Sequence, residues 1–281
     1  MSEKQRLDGE LIETALSEPV PNLSIARSKK EYYRDYPIDN DTGLYNEKLV
    51  SVGDYGLAGQ NYYSRLNVAT GQAIIDIPKE LFLRKSLAEK LADLNQRLNG
   101  KTVVDFFGGP VELYIEDAYR PYSLQKHLYE KVFPELIRQQ NPAISDENLE
   151  ARLNELIALP SNDAQHPSPH STGGAVDIVL RYKQDTPDYV KGAEVPVGHV
   201  DGDTSKRVYP DYFELLKPQS DHDKLAQRNR RAFYAVMTGK AYGIDTGLQV
   251  NPTEWWHWSW GDQMWAKLRD EPSAFYGQVD Y

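Results

Sequence analysis

The sequence predicts an α+β protein, and three patterns carry that expectation. Val111, Leu113 and Ile115 alternate with Glu112, Tyr114 and Glu116, the two-residue period of a half-buried strand. Leu87, Leu91, Leu94 and Leu98 recur at the spacing of one helix face. The run Glu254-Trp255-Trp256-His257-Trp258-Ser259-Trp260 reads as a second strand, placed after a helix expected over roughly Lys224 to Lys240. The chain has 281 residues, 40% apolar and 26% charged, so it is globular and long enough to bury a substantial core.

The remaining elements follow in order. Residues 1 to about 45 are rich in charge, Pro and Asn, and form an N-terminal arm that wraps the domain or is partly mobile; the main domain is expected over 46–281. The Gly- and Tyr-rich stretch from Tyr55 to Tyr63 reads as an aromatic-packing loop. Ser86 and Glu89 have capping-box spacing at the start of the first helix, and Gly100 stops it. Leu124, Leu128, Val132 and Leu136 are spaced for a helix kinked at Pro134, and another helix is expected near Glu147 to Ala158. A polar loop from Ser161 to Gly174 leads into a strand over Ala175 to Leu180. Residues 184 to 222, with many Asp, Pro and Gly, read as a long irregular loop.

Composition removes several function classes. A formal charge of -10 repels phosphate backbones, which argues against a nucleic-acid partner. The absence of cysteine excludes disulfides, thiolate ligands and a cysteine nucleophile. The N-terminus, MSEKQRLDGELIETALSEP, carries no apolar run able to act as a signal, and no stretch approaches the roughly 20 apolar residues of a membrane span. The expected location is therefore the cytoplasm. Oligomeric state is not legible.

Chemistry concentrates in three places. His170 lies in a Gly-bearing loop, and Asp177 follows on the next strand, so a loop folding back over the strand end would bring imidazole and carboxylate together as zinc ligands. Read blandly, His170 is exposed on the loop and Asp177 caps it. Glu254 and His257 could supply a general base and a third ligand, provided a twist or bulge turns both to one side of their strand. The four tryptophans around them read as core, whereas Glu254 among indoles would be costly to bury unpaired. Arg120, at a strand end before Pro121, could stabilise an oxyanion, or form a structural ion pair with Glu116 or Asp117. Two His, one Asp, one Glu and one Arg make the inventory of a three-ligand zinc site with a base and an electrophilic helper. The HExxH signature and the His-x-Asp spacing of iron oxygenases are both absent.

Three segments resemble the zinc D-alanyl-D-alanine peptidases: Glu116 to Pro121, Ser168 to Leu180, and Asn229 to Trp260. Among these the sequence is most similar to the vancomycin-resistance-type D-Ala-D-Ala dipeptidases. The resemblance implies a single DD-peptidase/Hedgehog-like domain with a central antiparallel sheet flanked by helices. It implies one zinc ion held by His170, Asp177 and His257, a catalytic base at Glu254, and transition-state stabilisation by Arg120. Ser168 matches a position lining the substrate pocket. Asp201 matches, one residue out of place, an Asp that binds the substrate's amino terminus, with Asp203 competing for the role; Tyr55 aligns loosely with a substrate loop. The implied activity is hydrolysis of a D,D-dipeptide. Alternatives are a D,D-carboxypeptidase or endopeptidase on longer cell-wall peptides, and a non-catalytic zinc-stabilised binding module.

Overall fold

A computed structural model of the chain describes residues 3–21, 33–64, 79–198 and 220–279. Its centre is a sheet of five strands in the order β2-β4-β5-β7-β6, where β2 is Ala58–Gly59, β4 Val111–Asp117, β5 Ala175–Tyr182, β6 Gln249–Asn251 and β7 Glu254–Ser259. A separate antiparallel ribbon pairs β1 (Leu49–Ser51) with β3 (Phe82–Arg84). The sheet is antiparallel from β4 through β6, as expected, but β2 joins β4 in parallel. Parallel neighbours need a long crossover. Here it includes β3, α2 (Lys85–Arg97) and α3 (Lys101–Phe107).

Strand β4 alternates buried and half-buried residues along its whole length, as its sequence pattern demands. Its Val111, Leu113 and Ile115 join a core with Leu87, Leu91, Leu94 and Leu98, the predicted stripe of the first helix. The cap of α2 differs from the expected box. Arg84 is the N-cap, and the Glu47 carboxylate accepts both the amide and the hydroxyl of Ser86. An acid brought in from another segment satisfies the positive end of the helix, so Glu89 is not needed there.

The segment after Arg120 is helical in three pieces: α4 (Tyr122–His127), a π turn over Leu128–Val132, and α5 (Phe133–Gln140). The predicted kink falls in that turn, just before Pro134, whose missing N–H cannot support a regular α ladder. One extra residue in the turn also shifts the apolar face. Leu128 is buried, but Ile137 is buried where Leu136 was expected, and Leu136 lies exposed. Helix α6 (Asp146–Leu156) is capped by Ser145, whose side chain accepts the Asn148 amide.

The N-terminal segment contains a helix that sequence periodicity did not reveal, α1 (Glu3–Ser17), packed on α7 (Asp221–Met237) and α3, with Leu16 and Val20 buried. Helix α7 starts at a capping box of Ser220 and Asp223. Its Phe233 meets both Trp255 and Trp258 edge-on. The last helix, α8, spans Gln263–Arg269. No helix among the described residues is long and apolar enough to cross a membrane.

One buried arginine binds these parts together next to the site. Arg84 donates to the carbonyls of Thr172 (2.7 Å), Gly277 (2.9 Å) and Glu47, and its guanidinium lies over the Tyr276 ring. The ribbon, the loop bearing His170 and the C-terminal tail thus share one cation. Its charge-assisted bonds fix the loop from behind.

Candidate metal centre

His170 sits on a 3-10 turn, Pro169–Thr172, that ends at Gly173 with φ +70°. Only glycine adopts that conformation without strain, and a Cβ there would meet Leu49 Cδ2 at 2.6 Å. A Cβ on Gly174 would lie 2.7 Å from the Trp260 carbonyl, so this glycine permits the loop to press against the end of β7. The chain then enters β5 with His170 folded back over Asp177.

The sheet supplies the other two residues. Asp177 on β5 is paired directly with His257 on β7, and residues opposite each other in an antiparallel pair project from the same face. Asp117 on β4 stands opposite Asp177 in the same row, just past a register shift between Ile115 and Asp117.

Strand β7 meets the geometric demand that its sequence posed. Its pairing with β6 breaks register, Val250 facing Trp258 while Asn251 faces Glu254. Two pairs three residues apart consequently share a side each. Trp255 and Trp258 both pack on Phe233, while Glu254 Oε2 comes within 4.0 Å of His257 Nδ1. The Asn251 side-chain amide donates to Glu254 Oε2 at 3.2 Å and holds that carboxylate in place.

The three candidate ligand atoms form a tight triangle. His170 Nε2 lies 3.2 Å from His257 Nδ1, His257 Nδ1 lies 3.1 Å from Asp177 Oδ1, and Asp177 Oδ1 lies 3.5 Å from His170 Nε2. Ligands about 2.0–2.1 Å from a tetrahedral zinc ion are separated by roughly 3.3 Å, so the triangle has the size of one tetrahedral face. Two imidazoles and a carboxylate also make the donor set that zinc prefers in hydrolytic sites. The residues fit the ion. Both imidazoles are nearly inaccessible, whereas the side chains of Asp177 and Glu254 retain 17% and 19% exposure, so the triangle is open to solvent on their side.

Protonation follows from the partners. His170 Nδ1 lies 2.8 Å from the Ala118 carbonyl, which can only accept, so Nδ1 carries the proton and Nε2 presents its lone pair to the triangle. Burial by itself would raise the Asp177 carboxyl, but the charge and hydrogen bonds of His170 and His257 outweigh it and hold Asp177 well below the usual carboxylate range. Burial would lower His257, yet the hydrogen bond and charge of Asp177, with Glu254 and Asp262 adding to them, leave it raised. A cation entering the triangle therefore competes with a proton on His257.

The family model for D-Ala-D-Ala dipeptidases matches residues 54–275, nearly the whole of this architecture. This chain belongs to that family. A D-alanyl-D-alanine dipeptidase from Synechocystis sp. is 30% identical over 185 residues, covering 60% of this chain and 70% of that protein. The chain is thus a peptidase of the D-Ala-D-Ala dipeptidase family, with a possible metal site at His170, Asp177 and His257.

Other residues singled out in the sequence fall into three groups. Arg120 is buried beside the triangle, and its amide donates to the His170 carbonyl at 3.1 Å. Its guanidinium pairs with Asp117, donates to Gln125 Oε1 at 2.6 Å, and donates to the Tyr63 hydroxyl at 3.3 Å. Burial would lower its pKa, but Asp117, Tyr63 and Asp177 raise it further still, so the charge is permanent. Ser168 is buried at the N-terminus of the His170 turn, where its carbonyl accepts from the amide and hydroxyl of Ser171. Tyr55 is half-buried in the 3-10 turn Val52–Tyr55, packed against the main core near Lys85. Asp201 and Asp203 lie outside the described residues.

Four contributors went unnoticed in the sequence: Tyr63 and Gln125, which grip Arg120, Asn251, which holds Glu254, and Asp262, a buried acid close to His257. Tyr63 stood in the aromatic loop, but nothing in its spacing tied it to Arg120, 57 residues away.

Proposed function

We propose that the chain is a zinc-dependent dipeptidase that hydrolyses D-alanyl-D-alanine or a closely similar short dipeptide. The observation that carries this reading is the triangle of His170, Asp177 and His257 with Glu254 Oε2 4.0 Å from its edge. Zinc, when bound, supplies Lewis-acid polarisation of a carbonyl and of a water whose pKa it brings towards about 7. Glu254, steadied by Asn251, accepts the water's proton and passes it to the leaving amine. Arg120 has four N–H bonds committed to Asp117, Gln125 and Tyr63, which leaves one Nη1–H and the full charge for the oxygen that becomes negative. The family resemblance assigns Ser168, beside the His170 turn, to the substrate pocket, Asp201 to the substrate's amino end and Tyr55 to a substrate loop. The dipeptide as substrate rests on the family match and on the name of the Synechocystis relative.

A substrate panel tests the proposal. Initial rates on D,D-, L,D- and L,L-dipeptides, and on longer peptides ending in D-Ala-D-Ala, should be highest for D-Ala-D-Ala and much lower for the longer peptides. Faster cleavage of the longer peptides, or no cleavage of any dipeptide, would overturn it.

A further inference from the structure

A second buried acid stands behind the triangle, and the reaction as written does not use it. Asp262 is 1% exposed; its Oδ1 accepts the Trp265 amide at 2.8 Å and caps α8, while Oδ2 has no hydrogen bond from a described residue. A carboxylate buried with half its acceptor capacity unused is costly unless the oxygen serves something. Its placement is specified by the chain. Gly261, at φ +82°, turns the backbone sharply after β7, and a Cβ at that position would run into the Phe275 ring. The turn returns Asp262 towards Ser259, a fully buried residue whose hydroxyl lies 3.4 Å from His257 Nε2 and also within reach of the Asp262 carboxylate.

Direction is what matters in this chain of groups. His257 turns Nδ1 to the triangle, so holding a metal there requires Nδ1 to give up its proton and Nε2 to carry the one that remains. A serine hydroxyl can donate or accept. A carboxylate behind it makes the hydroxyl donate backwards, and its lone pairs then face Nε2. We propose that Ser259 and Asp262 are positioning residues for His257: Nε2–H donates to Ser259 Oγ, the Ser259 O–H is directed back towards the Asp262 carboxylate, and Nδ1 is kept as the lone pair offered to the metal. His170 obtains the opposite tautomer from a backbone carbonyl. His257 obtains its own from a side-chain relay. This rests on the zinc reading above, and it adds two residues to which that reading gives no role.

The test is zinc affinity, measured by competition with a fluorescent chelator, for wild type, Ser259→Ala, Asp262→Asn and the double variant. Asparagine still caps α8 through its side-chain oxygen, so Asp262→Asn removes the charge and leaves the helix start intact. Each single variant should bind zinc about 10- to 100-fold more weakly. The double variant should bind no more weakly than the worse single one, because both act on one path. The absorption bands of the cobalt(II)-substituted protein should shift in Ser259→Ala, a change that a purely structural role would not produce. Zinc held within about twofold of wild type by both single variants, or losses that multiply in the double variant, would overturn the relay. If Asp262→Asn fails to fold, Ser259→Ala decides alone, since it removes a single hydroxyl. Wild type binding no zinc would instead remove the metal reading itself, an outcome distinct from failure of the relay.

Discussion

Replacing Glu254 by Gln is expected to lower kcat on D-Ala-D-Ala by about 10³-fold, within the 10²–10⁴ that a positioned general base contributes. That loss corresponds to roughly 4 kcal/mol of transition-state stabilisation. Glu254 is outside the ligand triangle, its nearest carboxylate oxygen 4.0 Å from His257 Nδ1. Gln has the same shape and keeps an oxygen able to accept from Asn251, so the fold and the metal should both be retained. KM should change little, because the lost interaction belongs to proton transfer rather than to substrate binding. Steady-state kinetics alongside metal analysis of the same preparation makes the check. A variant with full zinc and a near-normal rate would remove Glu254 from the mechanism.

The second large effect is expected at Arg120, and it has two separable parts. Asp117 is almost fully buried and its carboxylate is paired with this guanidinium. Arg120→Ala leaves that charge without its cation, which costs about 3–5 kcal/mol of stability. It also removes the donor assigned to the developing oxyanion, worth about 10²–10³ in kcat. Arg120→Lys separates the two. A lysine restores charge opposite Asp117 and should recover much of the stability, but an ammonium cannot serve Asp117, Gln125, Tyr63 and a substrate oxygen from one planar fork. Thermal unfolding should therefore rank wild type, Lys, Ala, while both variants stay at least 10²-fold slow in kcat. A Lys variant with near-wild-type kcat would reduce Arg120 to the structural ion pair that was the plainer expectation for it.

Periodicity made most of the frame legible. The alternation of β4 and the leucine stripe of α2 each reflect burial on one side, a demand local enough to be written in adjacent residues. Helix α1 escaped because its stability comes from α7 and α3, and its one deeply buried leucine, Leu16, forms no stripe by itself. The π turn escaped for a related reason. Pro134 announces a break, but the extra residue that moves burial from Leu136 to Ile137 is decided by how the turn relaxes around it. At the site, residue types and spacing exposed His170, Asp177, Glu254 and His257, while the device that turns Glu254 and His257 to one side, the register break against β6, is a property of strand pairing. Arg120 shows that the two readings offered for it do not compete: the ion pair with Asp117 is also what holds the guanidinium beside the triangle. The grip of Tyr63 and Gln125, and the approach of Asp262 to His257, depend on contacts between separate segments and leave no trace in local pattern.

The central claim, that His170, Asp177 and His257 together hold one catalytic zinc ion, is tested most directly by metal content. Wild type, Asp177→Asn and His257→Ala should be loaded with zinc, dialysed against metal-free buffer and assayed for bound metal by elemental analysis. The account predicts about one zinc ion per chain in wild type and substoichiometric zinc in both variants, with D-Ala-D-Ala hydrolysis lost in parallel. Stoichiometric zinc retained by His257→Ala, or wild-type protein that hydrolyses the dipeptide with no metal bound, would contradict it.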